Sequence, residues 1–212
     1  TWSPDSRYFA FVVTAGGGNE LVIVDVERGN ETKRLAFEEL GAVNNPAWSP
    51  DGRRIAFSGS DGGISDLYLL DLDSDQITRI TNDKYADLQP AWSPDGQTIA
   101  FTSDRGPETD FNRLSYSKFQ LALIDVSTGQ VRALPVFGNV KHMNPQYAPD
   151  GESLYFLSDQ DGVNDIYELD FRQGEVRRIT RLATAVSGIT YLSTAITVAA
   201  NPGQIVYSVF NQ

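Results

Sequence analysis

Cysteine is absent from the 212 residues. That removes disulfides, zinc–thiolate centres and thiol nucleophiles together, and leaves the redox compartment open. Histidine is nearly absent as well. His142 stands alone, so a zinc site built on two or three imidazoles cannot form within the chain. Positive charge is scarce: 17 Lys and Arg face 28 Asp and Glu, a net charge of −11. A field of that sign repels phosphate backbones and anionic headgroups, which argues against nucleic acid and a membrane surface as partners. No apolar run approaches the ~20 residues of a membrane-spanning helix, so no direct membrane insertion of this segment is expected. The opening Thr1-Trp2-Ser3-Pro4-Asp5 has no basic region followed by an apolar stretch, and reads as the middle of something longer. No Gly-x-Ser-x-Gly elbow occurs, and a single imidazole gives nucleophilic hydrolysis little to work with. What the chain does have is 41% hydrophobic and 21% charged residues, the composition of a chain that folds around a core.

It also has a repeat. Trp-Ser-Pro-Asp occurs at Trp2–Asp5, Trp48–Asp51 and Trp92–Asp95, with a degenerate copy at Tyr147-Ala148-Pro149-Asp150-Gly151. The steps between copies are 46, 44 and 55 residues. An apolar triplet follows each copy: Phe9-Ala10-Phe11, Ile55-Ala56-Phe57, Ile99-Ala100-Phe101 and Leu154-Tyr155-Phe156. A second apolar run (Leu21–Val24, Leu67–Leu70, Leu121–Ile124, Ile166–Leu169) then leads into Asp25, Asp71, Asp125 or Asp170. A polar turn and a shorter strand-like piece close the unit, as in Ile77–Thr81 and Val176–Thr180. Ser-Pro-Asp-Gly matches the preferences of a type I turn, with Ser at i, Pro at i+1 and Gly at i+3. The runs are β-branched and aromatic, bounded by Gly, Asp, Asn and Ser, and show no helical periodicity. Runs such as Tyr68-Leu69-Leu70 are apolar on both pleat faces, so both faces must be covered.

Four short antiparallel strands per ~45 residues, buried on both faces, is the arithmetic of propeller blades. The predicted fold is an all-β propeller of four-stranded antiparallel blades, with about 4.5 blades present as part of a larger six- or seven-bladed ring. A compact five-bladed ring closed by irregular pairing is the alternative. The expected blades are residues 1–44, 45–88, 89–143 and 144–184, with a partial one at 185–212. In that last blade Ile189–Leu192 and Gln204–Phe210 read as the first two strands, and Asn201-Pro202-Gly203 replaces the usual turn.

Trp48-Ser49-Pro50-Asp51-Gly52, Ile55-Ala56-Phe57, Asp66-Leu67-Tyr68, Asp71 and Arg79-Ile80-Thr81 together resemble the propeller repeat of the TolB family. Asp165-Ile166-Tyr167 and Arg178-Ile179-Thr180 fit the same pattern. The resemblance covers nearly the whole chain to about Thr180. It is specific for the repeat and not for function, because similar repeats occur in TolB, in the propellers of prolyl-oligopeptidase-type peptidases and in large bacterial envelope proteins. The stretch from Val186 to Phe210 departs from the repeat and looks like propeller segments that precede an outer-membrane barrel. The resemblance implies a periplasmic or cell-envelope setting and a non-enzymatic scaffold that binds a protein or peptide. The alternative is a propeller gating access to a peptidase domain outside this chain.

Candidate chemistry is sparse. Asp71-x-Asp73-x-Asp75 has the opening spacing of a calcium loop, but Gln76 replaces the required glycine and Asn82 the bidentate glutamate. Asp159-x-Asp161-Gly162-x-Asn164-Asp165 has the composition of a hairpin turn. No metal and no cofactor is expected, and no catalytic residue. His142 reads as a partly exposed loop histidine. The expected binding face follows from topology: in a meander, loops between second and third strands emerge opposite the Ser-Pro-Asp-Gly turns. There Gly106–Lys118 adds roughly ten residues to one hairpin relative to the ~45-residue unit. It carries Phe111, Arg113 and Tyr116, types enriched at interface hot spots, next to Arg105. Asn44, Asn45, Asp87, Gln89, His142 and Asn144, at the entries to innermost strands, are expected at the same face.

Overall fold

The repeat folds as its turn chemistry dictates. In the second copy the Gly52 amide donates to Ser49 O at 3.0 Å, and Gly52 takes φ +74°, a conformation glycine adopts without cost. Ser49 Oγ donates to Asp51 Oδ1 at 2.6 Å and accepts from the Arg54 amide at 2.9 Å, closing the turn with side chains. Ser93 and Asp95 repeat the arrangement. In the fourth copy Ala148 removes the hydroxyl, while the Gly151 amide still donates to Ala148 O at 2.9 Å and the Glu152 amide to Asp150 Oδ1.

The computed structural model describes residues 1–188, 194–200 and 204–209. Among these there is no helix, and the strands form five antiparallel sheets in chain order. The first contains β1 (Tyr8–Ala15), β2 (Gly18–Asp25) and β3 (Asn30–Phe37). A bridge from Trp2 to Phe9 stands where an innermost strand would pair. The second contains β4 (Ala42–Trp48), β5 (Arg54–Asp61), β6 (Ile64–Asp71) and β7 (Ile77–Arg79). The third contains β8 (Asp87–Trp92), β9 (Thr98–Ser103), β10 (Gln120–Asp125) and β11 (Val131–Leu134). The fourth contains β12 (His142–Tyr147), β13 (Ser153–Ser158), β14 (Asp165–Asp170) and β15 (Val176–Arg178). The fifth pairs β16 (Ile196–Val198) with β17 (Ile205–Tyr207).

The sheets stack face to face. Ala10, Leu21 and Ile23 of the first meet Val43, Ile55, Phe57 and Tyr68 of the second. The opposite face of the second sheet, Ala56, Leu67 and Leu69, meets Trp92, Ile99 and Phe101 of the third. Thus Tyr68 and Leu70 serve one interface while Leu67 and Leu69 serve the next, as the doubly apolar run requires. Each fully buried Leu, Ile or Phe contributes about 1.5–3 kcal/mol relative to exposure. The third and fourth sheets close on Leu121, Leu154 and Phe156, and the fourth and fifth on Leu157, Ile166 and Ile196.

The propeller architecture is as expected. In the fifth sheet the described strands are Ile196–Val198 and Ile205–Tyr207, the latter within the expected Gln204–Phe210; the expected strand at Ile189–Leu192 and the turn at Asn201-Pro202-Gly203 lie outside the described residues. Just ahead of Ile196 the Ala195 amide donates to Asn144 Oδ1 at 2.6 Å, tying this sheet to the fourth. The turn glycines mark one face of the stack, each against the proline of the preceding turn: Gly52 on Pro4, Gly96 on Pro50, Gly151 on Pro94. The hairpins between second and third strands therefore emerge at the other face.

Candidate loop face and axial cleft

The residues singled out in the sequence separate into three groups. Asn45, Gln89 and Asn144 occupy one equivalent position, the β-bulge of an innermost strand. All three precede a proline and have positive φ, 52°, 55° and 52°, backbone that costs about 1–3 kcal/mol for a non-glycine residue. All are buried, and Gln89 and Asn144 link successive sheets. Gln89 Oε1 accepts from the Asn144 amide at 3.0 Å and from Thr102 Oγ1 at 3.1 Å. Asn144 Oδ1 accepts from Ala195 in the next sheet. Asn45 Oδ1 accepts from Ser58 Oγ at 3.3 Å, and Asn44 beside it is half-buried. With Trp48, Trp92 and Tyr147 the three line an axial cleft of about 410 Å³. Among the described residues no charged side chain lines it.

Asp87 and Arg105 form the second group. Asp87 is fully buried. Arg105 Nη2 lies 2.7 and 2.9 Å from its two oxygens, and Ser103 Oγ donates to it at 2.6 Å. Burial pushes the Asp87 carboxyl up to about 6, against the pull of Arg105. Asp66 and Asp83 bring their oxygens within 4.8 Å of those of Asp87. The place a cation would take is occupied, because Arg79 pairs with Asp66 and Arg105 with both Asp83 and Asp87. His142 holds the position of Asp87 in the next sheet and is fully buried, where partial exposure was expected. Its ring packs 5.8 Å from Phe137 and 5.5 Å from Phe156. Burial lowers it to about 4.

The third group is the insertion. Residues 106–118 form a small ordered hairpin: Asp110 and Ser115 exchange backbone hydrogen bonds of 2.9 and 3.2 Å. Thr109 Oγ1 donates to Asp104 O and accepts from the Ser117 amide. Phe111 is half-buried, 5.4 Å from Tyr85 and 6.3 Å from Tyr116, with Lys84 over its ring. Arg113 is 85% exposed and reaches Asp110 at 3.6 Å. Tyr116 is 55% and Leu114 71% exposed, and Leu114 has φ 53°. Between the insertion and the next crossover lies a pocket of about 280 Å³ lined by Pro107, Lys118, Leu134 and Phe137. Phe111, Arg113 and Tyr116 thus share one exposed feature, Asp87 and His142 are interior, and the Asn/Gln group faces the axis.

Two arrangements escaped sequence reading. Lys84, Tyr85 and Asp83 support the insertion, and nothing in their spacing marks that. The other is a clamp in each of two blades: Thr81 Oγ1 accepts from the Leu67 amide at 2.9 Å and donates to Asp66 at 3.1 Å, while Arg79 pairs with Asp66. Thr180, Asp165 and Arg178 repeat it. The recurrence of Arg-x-Thr after an Asp-opened strand was the available signal. The acidic turn with calcium-loop spacing is also structural: Asp71 Oδ1 accepts the amides of Asp73 and Ser74. Asp125 does the same for its turn, and the Ser127 hydroxyl, together with the Thr128 amide and hydroxyl, holds its carboxyl down to about 2.

The family model described as the TolB beta propeller domain matches residues 1–130. No curated protein sequence matches significantly. Among solved structures, TolB from Acinetobacter baumannii superposes with a TM-score of 0.72 at 26% identity, over 87% of this chain and 44% of that one. A putative TolB from Agrobacterium tumefaciens gives 0.67 at 23%, over 88% of this chain and 62% of that one. A prolyl endopeptidase gives 0.61 at 15%, over 98% of this chain and 34% of that one. The chain therefore spans less than two thirds of each.

Proposed function

We propose, for a chain that belongs to the TolB beta propeller domain family, a role as a non-enzymatic scaffold that presents a protein- or peptide-binding face in the bacterial cell envelope. The observation that carries this reading is the insertion at residues 106–118. It sets Leu114, Arg113 and Tyr116 outward on an aromatic base of Phe111 and Tyr85, and that base stands on a rigid stack of sheets. Binding residues concentrate on loops held by such scaffolds, and exposed aromatic and arginine side chains are the usual anchors. The envelope setting rests on the family resemblance.

The test is capture from envelope extract by the intact chain and by a version lacking residues 110–117, with folding checked by thermal unfolding. A protein retained only by the intact chain supports the reading. Identical capture by both versions removes the insertion from it. A second reading, a propeller that gates a peptidase domain, is favoured by the likeness in fold to a prolyl endopeptidase and a puromycin hydrolase. A hydrolase domain with Gly-x-Ser-x-Gly encoded beside this chain would shift the assignment to it.

A further inference from the structure

Arg105 is the residue at which the insertion leaves its blade, and its guanidinium ties that point to the crossover between the second and third sheets. Nη2 contacts Asp87 and, at 3.1 Å, Asp83 of the crossover. Nε lies 2.9 Å from Ser103 Oγ. The guanidinium carbon sits 5.0 Å from the centre of the Tyr85 ring, and Tyr85 carries Phe111 of the insertion. A continuous path of contacts therefore runs from a fully buried carboxylate to the exposed hairpin. The charged groups facing Asp87 come from every neighbouring element. Asp66 comes from β6, with Arg79 from β7 bound to it. Asp83 comes from the crossover and Arg105 from the end of β9, next to Asp104, whose Oδ1 accepts the Ala86 amide at 2.8 Å. Carboxylates outnumber guanidiniums in this cluster, and neighbouring like charges favour uptake of a proton.

We propose that Asp87 and Arg105 form a proton-sensitive latch that holds the 106–118 insertion on this crossover, and that protonation of Asp87 releases it. Proton and guanidinium compete for the same carboxylate. A protonated Asp87 keeps a hydrogen-bonding partner in Ser103 but loses most of its attraction for Arg105. If Arg105 leaves, Asp87 remains interior beside Asp66 and Asp83 with one cation fewer, so the released state binds the proton more tightly than the latched one. Linkage then requires acidification to populate the released state. Burial places the latched carboxyl at about 6 and release raises it further, so the released state gains population as pH falls toward 6. The inference needs no binding partner and stands apart from the scaffold reading.

The experiment is amide hydrogen exchange on the intact chain at pH 7.5 and 5.0, corrected for intrinsic rates, followed in segments 82–87 and 104–118. Protection there should fall at the lower pH, by a factor approaching roughly tenfold for a released carboxyl one unit above its latched value. Asp87→Asn should show the low protection at both pH values, and Arg105→Gln should do the same. Unchanged protection in the parent chain overturns the latch, as does an Asp87→Asn variant that keeps the parent's pH response. Should Asp87→Asn fail to fold, Arg105→Gln decides alone: protection like that of the parent at both pH values overturns the proposal.

Discussion

Single residues carry distinct loads in this chain, and three can be weighed. Trp92 is 8% exposed, donates from Nε1 to Ala47 O of the preceding blade at 3.0 Å, and lies under the Arg54 guanidinium. Trp92→Ala should cost about 3–5 kcal/mol in chemical unfolding; a loss below about 1 kcal/mol would remove it from the core. Gly106 sits where an added Cβ would lie 2.4 Å from Ser117 Oγ and 2.6 Å from Ser117 Cβ. Gly106→Ala should therefore shift the insertion, visible as altered exchange at residues 106–118 with the β-sheets unaffected. His142 gives a pH dependence with a definite sign. Its folded value of about 4 lies below the 6.5 of a free imidazole, so the unfolded chain takes up the proton first. The stability it permits is complete above pH 6.5 and is lost as pH falls toward 4, a contribution of about 3 kcal/mol. Asp87, raised to about 6, acts oppositely between 6 and about 4. The difference between the parent and His142→Leu isolates the histidine: the variant should be relatively more stable at pH 4.5 than at pH 7.5. Equal pH profiles would refute this assignment.

At the scale of elements, the clamps explain why short outer strands stay paired. β7 and β15 contribute only Ile77–Arg79 and Val176–Arg178. Thr81 and Thr180 nevertheless tie the chain just beyond them to the opening of β6 and β14 through a backbone amide and a buried aspartate. Thr81→Val preserves shape and removes the hydroxyl, leaving the Leu67 amide and one Asp66 oxygen unserved inside the protein. The expected cost is about 1–3 kcal/mol by urea unfolding, with a similar value for Thr180→Val. A change within about 0.5 kcal/mol in both would mean that the hydroxyls are dispensable.

For the whole molecule, stability should be graded along the stack. The second and third sheets have both faces covered by neighbours. The first sheet exposes Trp2 at 53%, and the two-stranded fifth exposes Val206 at 63%. Native-state exchange should therefore show the highest protection in β5, β6, β9 and β10 and earlier opening in β16 and β17. Uniform protection across all five sheets would instead indicate one cooperative unit.

The sequence by itself determined the strand order, the turn type and the blade period. Those depend on local chemistry: proline and glycine at fixed turn positions, apolar runs two-sided enough to demand cover on both faces. It also placed Phe111, Arg113 and Tyr116 on one loop, since an insertion of extra length announces itself in a repeat. Only the tertiary structure decided what lies beneath. His142 and Asp87 look like polar strand starts in the sequence, yet the stacking of sheets seals both. Asn45, Gln89 and Asn144 read as strand-entry residues of the binding face, but at bulges they are buried, and Gln89 and Asn144 join one sheet to the next. Arg105 reaches Asp83 and Asp87, 22 and 18 positions earlier, only because the crossover and the hairpin share one face. Such pairings have no period, and a pattern without a period is not written along a chain.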